Sequence, residues 1–139
     1  MKKLKKGFSL LELIFAIVVI GIIASFAIPK YLDTKDSAMA STIKRDITST
    51  TASIQSYYLV NGKIDKISDA ITLNEAHWTV TDSKVTYQNN EKDCVTLEVK
   101  ANDGDNKKIL ELIVDSTATS GICEILTADG IKSTTYNLY

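Results

Sequence analysis

Histidine, proline and cysteine are nearly missing from this sequence: its 139 residues include one His, one Pro and two Cys. Each scarcity closes off a class of function. The one histidine, His77, adjoins Trp78 and has no second histidine or cysteine nearby in sequence, so no metal-ligand spacing forms around it. It reads as a surface or hydrogen-bonded buried residue. Cys94 and Cys123 are far apart, without the C-x-x-C spacing of a redox pair. Neither a G-x-S-x-G elbow nor a phosphate-binding P-loop occurs. With no convergent set of titratable groups, the chain reads as a non-enzyme that needs no cofactor and no catalytic metal. A basic patch interleaved with aromatics is also lacking, so direct nucleic-acid binding is not expected.

Charge is the next thing in short supply, along one stretch. From Phe8 to Ile28 there are 21 residues, and Glu12 is the only charged one. Such a run is long enough to cross a bilayer as a helix, whereas a soluble core helix rarely stays apolar on all sides for so long. Lys2, Lys3, Lys5 and Lys6 all precede it, while Lys30 and Lys35 make a weaker cluster beyond. Basic residues stay on the cytoplasmic side, so the expectation is a cytoplasmic N-terminus and an exported C-terminal part. Removing residues 1–7 would take the formal charge from −1 to −5.

Two ordinary readings compete for this N-terminus. Ser25-Phe26-Ala27 approximates the small-x-small site of a secretory signal peptide, which would release a soluble periplasmic chain beginning at Ile28. A plain uncleaved anchor is the other. Both leave Glu12 without a use. A carboxylate in an apolar span costs about 2.5–3.5 kcal/mol at mid-membrane, and less near an interface, so such acids usually face a partner.

The stretch Gly7-Phe8-Ser9-Leu10-Leu11-Glu12, behind a Lys-rich leader and ahead of an unbroken apolar run, resembles the prepilin processing motif. That motif marks type IV pilins and the pseudopilins of type II secretion and competence systems. Pro29 also sits where many of them carry proline. The resemblance implies cleavage between Gly7 and Phe8 by a membrane aspartyl prepilin peptidase, then N-methylation of Phe8. It implies too that Glu12 of one subunit meets the Phe8 amine of a neighbour. An acid in apolar surroundings is strongly unfavourable unless paired, and this pairing would supply the partner.

After Pro29 the helical pattern continues without the membrane. Leu32, Met39, Ile43, Ile47, Ile54 and Tyr58 are spaced as one apolar helix face. Asp33, Lys35, Asp36, Lys44, Arg45 and Gln55 occupy the others, and Asn61-Gly62 supplies a stop. A bent but continuous helix from Phe8 to Tyr58 would be about 75 Å long. Two helices broken at Pro29 are the alternative, since proline inside a helix costs about 3 kcal/mol. In family filaments the stretch between Gly21 and Pro29 loosens.

About 80 residues remain for a head. An irregular connector over 63–78 is expected, with one helical turn signalled by the capping-box spacing of Thr72 and Glu75. Val95, Leu97 and Val99 alternate with polar residues as a half-buried strand, and 109–114 is a more apolar one. Asn102-Asp103-Gly104-Asp105-Asn106 between them is turn chemistry, favoured here over a calcium loop because no Glu closes a twelve-residue ring. A short strand is expected at 85–87, and Asp129-Gly130 is read as a hairpin turn between strands 122–126 and 131–138. Tyr57, Tyr58, Tyr136 and Tyr139 read as packing residues. In an exported domain with a thin core, Cys94 and Cys123 are expected to form a disulfide, tying an early strand to a late one.

The expected architecture is therefore α+β and pilin-like: one long N-terminal helix, membrane-spanning in its first half, on a small antiparallel sheet. Its parts are a leader (1–7), a transmembrane or filament-core helix (8–28), an amphipathic second half (29–60) and a head (61–139). The resemblance implies a structural filament subunit, type IV pilin or pseudopilin. Its precursor would cross the bacterial inner membrane once, with the head periplasmic, before entering a periplasmic or extracellular filament. Implied partners are further copies of the chain, the prepilin peptidase, an inner-membrane assembly platform, and minor pilins or pseudopilins. The competing class is a minor pilin whose head is a binding module for DNA, a secreted substrate or a surface.

Overall fold

A computed structural model describes residues 7–102, 104, 107–117 and 121–138. The element order is helix α1 (Leu10–Asn61), a 3-10 turn (Ile67–Asp69), strands β1 (Trp78–Val80), β2 (Lys84–Asn89), β3 (Lys92–Ala101) and β4 (Lys108–Val114), helix α2 (Gly121–Ala128) and strand β5 (Thr134–Asn137). The chain divides into two compact units, Met1–Lys35 and Asp36–Tyr139. The fold is the expected α+β, pilin-like one, with a helical N-terminus and a five-stranded antiparallel sheet in the order β1-β2-β3-β4-β5.

In the first unit, α1 begins with Ser9 as its cap. The Ser9 Oγ accepts the Glu12 N–H (3.2 Å), and the Leu13 N–H donates to the Ser9 carbonyl (3.1 Å). Ser9 and Glu12 thus have the S-x-x-E spacing of a capping box. None of residues 10–28 is buried, so apolar side chains face outward all round this stretch. The helix runs on through Pro29 without a break.

In the second unit, α1 lays a stripe into the core. Ala40, Ile43, Ile47, Thr50, Thr51 and Ile54 are buried, while Met39 and Tyr58 are half-buried and Leu32, in the first unit, is exposed. The threonine-rich sequence is reconciled with the helix by hydroxyls that bond back to carbonyls four residues earlier, as Thr48 does to Lys44 and Thr51 to Ile47. Thr50 is the exception. It lies between Ile47 and Ile54 on the buried stripe at 0% exposure, and its Oγ1 has no partner among the described residues. A buried hydroxyl without a hydrogen bond is costly, and valine has the same shape without the polar atom. Thr50→Val should therefore raise stability by about 1 kcal/mol. A denaturant midpoint that falls would contradict this account.

The sheet supplies the other half of the core. Val85, Tyr87, Val95, Leu97, Val99, Leu110 and Leu112 are buried along β2–β4. β3 and β4 pair from Val95↔Val114 to Ala101↔Lys108, the hairpin read from the sequence. Its loop is closed by the Asn102 N–H on the Lys107 carbonyl (2.7 Å). Asp103, Asp105 and Asn106, weighed above as calcium ligands, lie outside the described residues. So does Tyr139.

A two-residue turn joins β2 to β3, with both Asn90 (φ 52°) and Glu91 (φ 64°) left-handed. This conformation matches the twist of the flanking strands and suits Asn and Gly; for Glu it is disfavoured by about 1–2 kcal/mol. Glu91→Gly should accordingly stabilise the head by about 1 kcal/mol, read as a higher thermal midpoint. An unchanged or lower midpoint would count against strain at this turn.

Two elements differ from the sequence reading. The expected strand over 122–126 is helix α2, because Ile122, Cys123 and Leu126 fall at the i, i+1 and i+4 positions of one buried helix face. Asp129-Gly130 consequently ends a helix rather than turning a hairpin. The Gly130 N–H donates to Thr127 and the Ile131 N–H to Leu126 (both 3.1 Å), with Gly130 at φ 90°: a Schellman cap. The helical turn in the connector lies at Ile67–Asp69, not at Thr72–Glu75. There the Asn74 side chain accepts the Ala76 N–H (3.0 Å) and makes a turn into β1.

Candidate functional site

Gly7, Phe8 and Ser9 precede the first turn of α1, and all three are exposed. Glu12 stands in that first turn, also exposed, with its backbone N–H tied to Ser9. Phe8 is 83% exposed. No ion pair to Glu12 forms among the described residues, so nothing there neutralises its carboxylate within the chain. Leu11, Ile14, Phe15 and Val18 flank it on an open apolar surface. The arrangement presents an acid at the mouth of an apolar helix.

The first-turn position of Glu12 adds a local role that the sequence reading did not consider. A carboxylate in the first turn also favours the positive end of the helix dipole, a contribution of about 0.3–1 kcal/mol. Its signal was present as Ser9-x-x-Glu12 but was masked by the stronger pattern around Gly7 and Phe8. Glu12 therefore has two candidate roles, one within its own helix and one between subunits.

Cys94 and Cys123 are joined in a disulfide, with their Cα atoms 5.6 Å apart and both residues buried. It ties β3 to helix α2, not strand to strand as expected, because the partner segment is helical. Near it, the Asp115 N–H donates to the Cys94 carbonyl (3.0 Å) as the chain leaves β4. Asp115 Oδ1 then accepts from the Thr117 N–H (2.8 Å) and hydroxyl (2.6 Å), and these bonds hold its carboxyl below the usual range.

Trp78 anchors the connector to α1. It is 1% exposed, its Nε1 donates to Asp46 Oδ2 (3.0 Å), and its ring meets Tyr87 at a centroid distance of 5.8 Å. Burial pushes the Tyr87 phenol up, with a smaller contribution from the Asp36 carboxylate. His77 is half-buried in the turn before β1, its N–H on the Asn74 carbonyl (3.0 Å). Tyr57, Tyr58 and Tyr136 are half-buried against the core, as packing residues would be. Among the described residues no cluster of three or more His, Cys, Asp or Glu could hold a metal ion.

Comparison with known proteins singles out the N-terminus. Residues 2–28 match a family model described as the prokaryotic N-terminal methylation motif. A 33-residue stretch is 58% identical to a type IV major fimbrial protein FimA of Dichelobacter nodosus, covering 24% of this chain and 21% of that one. A fimbrial protein of the same organism matches to the same extent, and the FimA of strain VCS1703A does so over 20% of its length. The chain thus spans about a fifth of the relatives it matches. No solved structure matches it.

Proposed function

We propose, from an N-terminus whose motif and fimbrial homology support a type IV pilin family, that this chain is a structural subunit polymerised through α1 into a pilus-like filament. One observation carries the reading. The helix that begins within the matched segment, Leu10–Asn61, is long and apolar enough to cross a membrane, and none of residues 10–28 is buried in the protein. So much exposed apolar surface needs a solvent of its own kind, first lipid and then the helices of other subunits.

The steps follow from the residues. A prepilin peptidase cuts after Gly7, where a missing side chain lets the backbone lie close to a protease. Cutting ahead of the apolar run leaves the membrane helix on the mature chain and creates an α-amine on Phe8, which is then N-methylated. Glu12 offers that amine of an adjoining subunit a carboxylate in a medium of low dielectric, where unpaired charges are strongly disfavoured. Register between subunits is the result. The precursor crosses the inner membrane once with its head outside, and an assembly platform and minor pilins complete the machinery.

Mass spectrometry of the native product tests this. A mature chain beginning at N-methylated Phe8 is expected. A chain that begins at Ile28, or one that keeps residues 1–7, would overturn the proposal.

A further inference from the structure

We propose that the open edge of β5, with the groove beside it, receives an extended segment of a different polypeptide as a sixth strand of the head sheet. The inference concerns the head alone and does not rest on filament assembly.

Pairing geometry singles out the free positions. The Leu138 N–H donates to the Lys108 carbonyl (3.1 Å), and β5 runs antiparallel to β4 with Tyr136 opposite Leu110 and Thr134 opposite Leu112. Hydrogen-bonded positions alternate in such a ladder. Residues 134, 136 and 138 therefore bond inward to β4, while the backbone N–H and C=O groups of Thr135 and Asn137 face away from the sheet. They have no backbone partner among the described residues. The edge also lacks the usual protection, because Thr134–Asn137 contains no proline, charge or bulge. The opposite edge, β1, is only three residues long.

The surroundings fit a strand rather than a compact ligand. An open groove of about 510 Å³ lies on the inner side of β5, lined on one wall by Thr48, Thr51, Ala52 and Gln55 of α1 and on the other by Leu112 and Tyr136. The Thr48 and Thr51 hydroxyls are already bonded to their own helix, so they present methyl groups as much as oxygen. Side chains two apart on an added strand would enter this groove while its backbone met Thr135 and Asn137. Small β-branched residues suit the inward positions. Lys132, at one end of the groove, favours an acidic residue there.

The test uses the full chain in detergent and a labelled peptide, acetyl-Glu-Val-Thr-Val-Thr-Val-amide, followed by fluorescence anisotropy. Saturable binding is expected, together with slowed amide exchange at Thr135 and Asn137. Thr135→Pro removes an outward N–H without touching the β4 ladder, and it should weaken binding by about tenfold or more. Ala52→Trp should do the same by filling the groove from an exposed helix position, with the fold checked by an unchanged thermal midpoint. An absence of binding up to millimolar peptide overturns the proposal. So does binding that survives both variants, or equal binding of a peptide N-methylated at alternate residues. A peptide-independent dimer that disappears in Thr135→Pro would overturn it in favour of a second copy at this edge.

Discussion

Glu12→Ala should leave membrane insertion and leader removal intact and reduce the yield of filaments to background. Leaving a buried cation without its acid costs about 3–5 kcal/mol per contact, more than two powers of ten in an association constant at each step of polymerisation. The helix end complicates the interpretation, because alanine also removes a first-turn acid. Losing that acid costs about 0.3–1 kcal/mol, whereas the Ser9 cap, which holds the backbone N–H of residue 12, is kept. Glu12→Gln keeps the side chain's size and hydrogen-bonding capacity and gives up only the charge, at a local cost of no more than about 1 kcal/mol at the helix end. Glutamine serves the third position of a capping box as glutamate does, but it cannot neutralise an ammonium. Filament loss in both variants supports pairing between subunits. Normal yield from Glu12→Gln would reduce Glu12 to a helix-end residue and remove the electrostatic account of register.

Unlinking Cys94 and Cys123 should have the largest effect on the head. The bond closes a loop with a sequence separation of 29 residues. On the chain-entropy model that is worth about 3–4 kcal/mol, a large share of the 5–15 kcal/mol typical of a folded domain. The loss should concentrate on α2, an eight-residue helix too short to persist without tertiary support. Cys94→Ala with Cys123→Ala should lower the calorimetric midpoint by roughly 15 °C or more. Equal midpoints for the oxidised chain and the double variant would contradict this, and a matching fall on reduction of the wild type would support it.

The N-terminus was legible because its pattern is set by solvent. A membrane demands uninterrupted apolar residues, and one acid within them is conspicuous. The long helix was legible for a similar reason, since Ile43, Ile47 and Ile54 repeat at the helical period. What the sequence hid was the small and polar part of the buried stripe. Ala40, Thr50 and Thr51 belong to it by position, yet residue type argues against them. The misreading of 122–126 has a different cause. A short apolar run bounded by Asp129-Gly130 fits either a strand before a hairpin or a helix before a left-handed cap, because both need a residue with positive φ. Only the packing of Ile122, Cys123 and Leu126 into one core separates them. The β2–β3 turn was missed because Glu91 stands where glycine would have announced it.

The single tryptophan provides a built-in optical gauge. Trp78 is sealed between Asp46 and Tyr87 in the head, and the apolar N-terminal run contains no tryptophan at all. Tryptophan emission therefore reports on the head and is blind to that run. A red shift on heating or reduction would time the opening of this one joint without any dye.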